Sequence, residues 1–240
     1  MKYILAIITL LVCVNCQAQQ KEIDSLEKLL ETAKLADTVK IGIFNNLAFA
    51  YAATDPAKGL IYADLGIALA SKTRVPLKLG AAYNCKALNY TYLGQDSLAF
   101  KNYSLALKTA QDNMNKNGEA IALNNLAILY TNRSEYQKAL DSRLKALAIF
   151  KDLKSKRGIN VLTTNIAVNY MYLADYPRSI AIVTVLLISR FKRSLSFSRS
   201  FLNFVNELES ITPSSDDISR KYLKDISYCE RSTTSTSETV

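Results

Sequence analysis

The sequence predicts an all-α solenoid of about four helix-turn-helix repeats, and three observations carry that expectation. Glycine (7) and proline (4) are scarce among the 240 residues, which disfavours turn-dense β architectures and fits long helices. Tyrosines recur as Tyr51, Tyr90, Tyr130 and Tyr170, spaced by 39, 40 and 40 residues, each preceded three residues earlier by alanine: Ala48, Ala87, Ala127 and Ala167. Within a unit the apolar residues fall at helical intervals, as at Leu123, Leu126, Ala127 and Tyr130.

Taken from the N-terminus, residues 1–18 read as a signal peptide. Met1-Lys2 supplies a short positive end, Tyr3 to Val14 an apolar run too short to span a bilayer comfortably, and Cys16-Gln17-Ala18 small residues around a cut before Gln19. Neither Cys13 nor Cys16 follows the small residue expected before a lipidated cysteine. An uncleaved anchor is the competing reading. Residues 19–37 form a leading cap helix, with Ile23, Leu26, Leu29, Leu30 and Ala33 at helical spacing, covering the open apolar side of the first repeat.

Four repeats then occupy 38–188, at about 38–75, 76–116, 117–156 and 157–188. Each is two helices joined by a short turn, such as Asn132-Arg133-Ser134 in the third. Nine residues after the tyrosine come Ala99, Ala139 and Ser179, with Gly59 one place early in the first unit. Small residues there let helix axes approach closely, Ala127 facing Ala139. Gly118 and Gly158, also 40 apart, are expected to permit the backbone turns between units. The fourth unit fades after Ile182, and Ile180 to Ile188 reads as a buried second helix, because nine apolar residues cannot cross a hydrocarbon core. Residues 189–229 carry a helical cap, Phe197, Phe201, Phe204, Val205 and Leu208 lining one face of 194–210, and 230–240 are expected to be disordered. A truncated or frame-altered end is the alternative reading of everything after 190.

The pattern Leu126-Ala127-x-x-Tyr130, Tyr136-x-x-Ala139 and Ala146-Leu147, with Ala87-x-x-Tyr90-x-x-x-Gly94, Ala99, Tyr103 and Ala106-Leu107 in the preceding unit, resembles the tetratricopeptide repeat. The period near 40 rather than 34 points to the extended-repeat subclass, of a bacterial exported type. The resemblance implies a right-handed solenoid whose first helices line a concave, peptide-binding groove.

Composition excludes several chemistries. With no histidine, the commonest general acid/base and metal ligand is missing, and neither GxGxxG nor GxxxxGK[ST] occurs. Catalytic, cofactor and metal sites are therefore expected to be absent. The formal charge of +9 lies mainly in the helical array, where 22 basic face 14 acidic residues before Ser189. The cluster Lys151, Lys154, Lys156 and Arg157 surrounds a loop and reads as solvated, and Lys101, Lys108, Lys138 and Lys145 as outer-surface charge, so no nucleic-acid partner is expected. The tyrosines read mostly as repeat core. Cys85 and Cys229 read as unpaired thiols.

The sharpest candidate site is a polar stripe. Asn45, Asn84, Asn124 and Thr164 occupy one place in successive first helices, six residues before the repeat tyrosine. In the family that this chain resembles, asparagine there commonly holds the backbone of an extended peptide, and an amide offers both the donor and the acceptor this needs. Bonds between neighbouring helices are the competing role. Asn46, Cys85, Asn125 and Asn165 take the next place, for which the interhelical role is favoured. One turn on stand Phe49, Leu88, Ile128 and Val168, where co-chaperone members of the family carry cations that grip a terminal carboxylate; a chaperone-tail clamp is thus not expected. The function read from these residues is an exported, periplasmic or envelope-associated, non-enzymatic scaffold that binds a protein or peptide segment, without membrane insertion once the signal is cleaved. The rival is the sensor portion of a bacterial signalling protein.

Overall fold

The structure, a computed structural model, describes residues 20–192, and these are helical throughout apart from short connections. The signal segment, the 194–210 cap, the 230–240 tail and Cys229 lie outside the described residues. Helix α1 covers residues 20–32. It is followed by α2 (Asp37–Tyr51), α3 (Pro56–Lys72), α4 (Pro76–Tyr92), α5 (Asp96–Asp112), α6 (Lys116–Asn132), α7 (Tyr136–Asp152), α8 (Lys156–Tyr172) and α9 (Tyr176–Lys192). From α3 onward every helix has 17 residues and starts 20 after the last. The last second helix is present as α9, with Ile182 buried as expected but Ile180 and Val183 exposed. No helix among the described residues is long and apolar enough to cross a membrane.

The regularity comes from the turns. At Arg74, Gly94, Met114, Ser134, Lys154 and Ala174, spaced by 20, the backbone is left-handed, with φ between 52° and 69°. Each such residue ends a helix, and the next N–H bonds back to a carbonyl five residues earlier, as in Gln95 N–H to Tyr90 O at 2.9 Å. The turn after α2 lacks this residue, and Asp55 N–H bonds instead to Tyr51 O, four back, at 2.8 Å. Pro56 opens α3 five residues after Tyr51, whereas the next helix opens six residues after Tyr90, Tyr130 and Tyr170, which is why the first tyrosine interval is 39 and why Gly59 stands one place early. Counted by helix position, Gly59, Ala99, Ala139 and Ser179 are equivalent, and all four are buried.

Gly118 and Gly158 do not serve the turns. Both lie inside the first turn of a helix, where their N–H groups bond to the capping side chains Asn115 Oδ1 (3.1 Å) and Ser155 Oγ (3.3 Å). Glycine is needed there for space: a Cβ at 158 would fall 2.5 Å from the Phe150 ring, and one at 118 would fall 2.5 Å from the Asn115 amide. The left-handed turn residues are Met114 and Lys154.

The described chain forms two compact units that part between Leu129 and Tyr130. In the first, α2 packs on α3, α3 on α4 and α4 on α5, and α2 also touches α4. Helix α1 docks Ile23, Leu26 and Leu30 on Ile43, Leu47, Tyr51 and Tyr62, while Leu29 faces outward. In the second unit α7 packs on α8 and α8 on α9. Of the repeat tyrosines, Tyr51 and Tyr170 are buried, but Tyr90 and Tyr130 are half-exposed. Each instead carries a cation over its ring: Lys58 on Tyr51 (4.5 Å), Lys86 on Tyr90 (5.9 Å), Lys138 on Tyr130 (6.0 Å) and Arg178 on Tyr170 (5.4 Å).

Candidate functional site

The first unit contains a groove of about 410 Å³. One wall comes from α4 (Leu77, Ala81, Asn84, Leu88) and the other from α6 (Asn117, Ile121, Asn125); Ala106 and Ala110 of α5 form its floor and Phe49 of α2 one end. Helical spacing explains the walls, since 77, 81, 84 and 88 share one face of α4, and 117, 121 and 125 one face of α6. Phe49 is 65% and Leu77 55% exposed, so large apolar groups stand in solvent here. Across the groove Asn125 Nδ2 donates to Asn84 Oδ1 at 3.4 Å.

The structure brings Asn84, Leu88 and Phe49 of the candidate set together and separates Asn45 from them. Asn45 is buried, its Nδ2 donating to Lys78 O of α4 at 3.1 Å, and it belongs to the seam between α2 and α4. Asn124 and Ile128 are half-buried and do not line the groove. Thr164 and Val168 lie in the second unit, Thr164 Oγ donating to Asn160 O within its own helix at 3.0 Å. Asn125, assigned by sequence to the interhelical set, lines the groove opposite Asn84. Two adjacent parallel helices present different positions to the space between them, so no single repeat position can supply both walls.

In the groove lining, Cys85 Sγ donates to Asn45 O at 3.3 Å, and burial pushes its thiol up to about 12. It is a free cysteine. Asn89, fully buried, donates through Nδ2 to Ala48 O and to Cys85 O, both at 2.8 Å. Sequence reasoning passed over it because it breaks the stripe. In the second unit Arg143, 5% exposed, takes the place that Tyr103 has 40 residues earlier. Its Nη1 donates to Asn165 O at 3.3 Å while Nε has no partner, and burial draws its guanidinium down to about 10.

Glu27 of α1 binds the first repeat. Its Oε1 accepts from Tyr51 (2.8 Å) and Tyr62 (2.7 Å) and pairs with Lys58 Nζ (2.8 Å). These contacts, Lys58 foremost, hold its carboxyl below the usual range, and burial with Glu27 nearby raises Tyr62 to about 12. Among the described residues no group of three or more Cys, Asp or Glu side chains is placed to hold a metal ion.

Neither a family model nor a curated protein sequence matches the chain. Solved structures do. BtubC (BKLC) from P. vanneervenii is similar with a TM-score of 0.57 and 20% identity, over 73% of this chain and 73% of that one. The nearly identical TPR-like repeats of a Podosopora anserina kinesin light chain give 0.53 and 15%, over 79% of this chain and 94% of that one. Their Q17M variant gives 0.55 and 14%, over 84% and 100%. At such identities the likeness establishes the fold, which is that of tetratricopeptide-like repeats, as the motifs imply.

Proposed function

We propose that this tetratricopeptide-like array is a non-enzymatic interaction scaffold that holds an extended segment of a partner protein in the groove between α4 and α6. The observation that carries the reading is the Asn84–Asn125 amide pair, set among the exposed apolar groups Phe49, Leu77 and Ile121 and the half-buried Leu88. Amides satisfy a peptide backbone without specifying its side chains, and exposed apolar groups gain from being covered. The kinesin light chain repeats share the fold, and repeat arrays generally offer extended binding surfaces of this kind. We also propose export, with removal of residues 1–18; an intact mass still including Met1 would overturn it.

The test is affinity capture from the envelope fraction with the full chain and with Asn84→Ala plus Asn125→Ala. Each net hydrogen bond is worth about 0.5–1.5 kcal/mol, so capture should weaken roughly ten- to a hundredfold while the melting temperature barely moves. Lys101→Ala with Lys145→Ala, on exposed outer positions, should leave capture intact. A large stability loss with normal capture by the folded remainder would refute the groove.

A further inference from the structure

We propose that the segment held in this groove is an uncharged stretch from the interior of the partner chain, with one of its peptide units docked on the Asn84–Asn125 pair; this rests on the groove reading above. Fifteen residues line the groove and none is charged, in a chain where 21% of residues are. Of the charges adjoining it in sequence, Lys78, next to Leu77, carries its Nζ toward Gly42 of α2, and three others are paired. Lys116 and Glu119, flanking Asn117 and Gly118, pair with each other at 2.9 Å, and Lys86, next to Cys85, pairs with Asp64 at 2.6 Å. A charged ligand side chain, or a terminal carboxylate, would lose water here and find no counter-ion, and an unpaired charge is the costliest group to bury. The neutral lining therefore selects by exclusion.

The amide pair defines what is accepted. Its one internal bond uses an N–H of Asn125 and the oxygen of Asn84, leaving the Asn84 amine as donor and the Asn125 oxygen as acceptor. Exchanging oxygen and nitrogen in both amides leaves the same inventory, one donor side and one acceptor side. A peptide unit is the complement of that pair, offering one C=O and one N–H. Flanking side chains of an extended segment alternate in direction, which suits apolar groups meeting Leu77 and Ile121 on one hand and Phe49 and Leu88 on the other.

An array of N-acetylated, C-amidated peptides of about six to twelve residues, about 20–40 Å when extended, probed with the full chain and with Asn84→Ala plus Asn125→Ala, tests this. The expected result is a set of binders that the double variant loses and that carries no Asp, Glu, Lys or Arg at its central positions. Placing Asp or Lys there should then weaken binding at least about tenfold, and freeing the terminal carboxylate should bring no gain. Variant-sensitive binders rich in central charge would overturn the neutral-ligand inference and leave the groove reading standing. Binders indifferent to the variant, or none, would overturn the groove reading and this inference with it.

Discussion

Gly59 of α3 makes room for the amide of Asn89 in α4: a Cβ at position 59 would stand 2.0 Å from Asn89 Oδ1 and 2.7 Å from its Cγ. The amide cannot step aside freely, because its nitrogen is bonded to both Ala48 O and Cys85 O inside the core. Forty residues on, the corresponding pair is Ala99 and Leu129, both fully buried. Gly59→Ala should therefore destabilise by about 1–3 kcal/mol. Adding Asn89→Leu, which reproduces the later pair, should recover much of the loss. Thermal melts of the single and double variants decide it, and no recovery would refute the equivalence.

The six left-handed turn residues offer an experiment on backbone strain alone. Gly94 has φ of 69° and open space where a Cβ would stand, so Gly94→Ala should cost about 1 kcal/mol with no clash to blame. Met114, 86% exposed, adopts φ of 52° with a full side chain, and Met114→Gly should gain up to about 1 kcal/mol. Denaturant midpoints with unchanged slope would confirm both signs.

Glu27 predicts an acid-sensitive cap. Its carboxyl is held below its unfolded value, so its contribution is present above about pH 4 and is lost as pH falls through the folded value. The side chains of Lys58 and Glu27 are 40% and 28% exposed, so solvent screening keeps the effect modest. Glu27→Gln should lower the melting temperature at pH 7, and the gap from the parent chain should close toward pH 3. A gap independent of pH would mean that the hydrogen bonds, not the charge, hold α1.

Arg143 is a buried cation with no acidic partner among the described residues, standing where an earlier repeat has Tyr103. Relieving that desolvation by Arg143→Met should stabilise the second unit by about 1 kcal/mol or more, whereas an interaction-critical guanidinium would make it destabilising. Calorimetric melting distinguishes the two.

Much of the fold was legible because a repeat multiplies weak signals. The spacing of Tyr90, Tyr130 and Tyr170 states the helix pair and its length, and apolar intervals mark the buried faces. The site was only partly legible. A stripe at one position per repeat led to Asn45 and Asn84 together, yet the first lies in a helix seam and the second in a groove, because the same helix position meets different neighbours: Lys78 O for Asn45 and Asn125 for Asn84. Asn125 escaped for the opposite reason, since the far wall of a groove uses a different helix face.

The sequence by itself determined the helical repeat, its 40-residue period, the amphipathic docking helix and the want of histidine chemistry, all of which follow from residue type and interval. Only the tertiary structure decided which amides face solvent, that Gly59, Gly118 and Gly158 serve neighbouring side chains rather than turns, and that the groove lining is uncharged. Those properties depend on which side chains from different helices meet in space, and a one-dimensional period carries no record of that meeting.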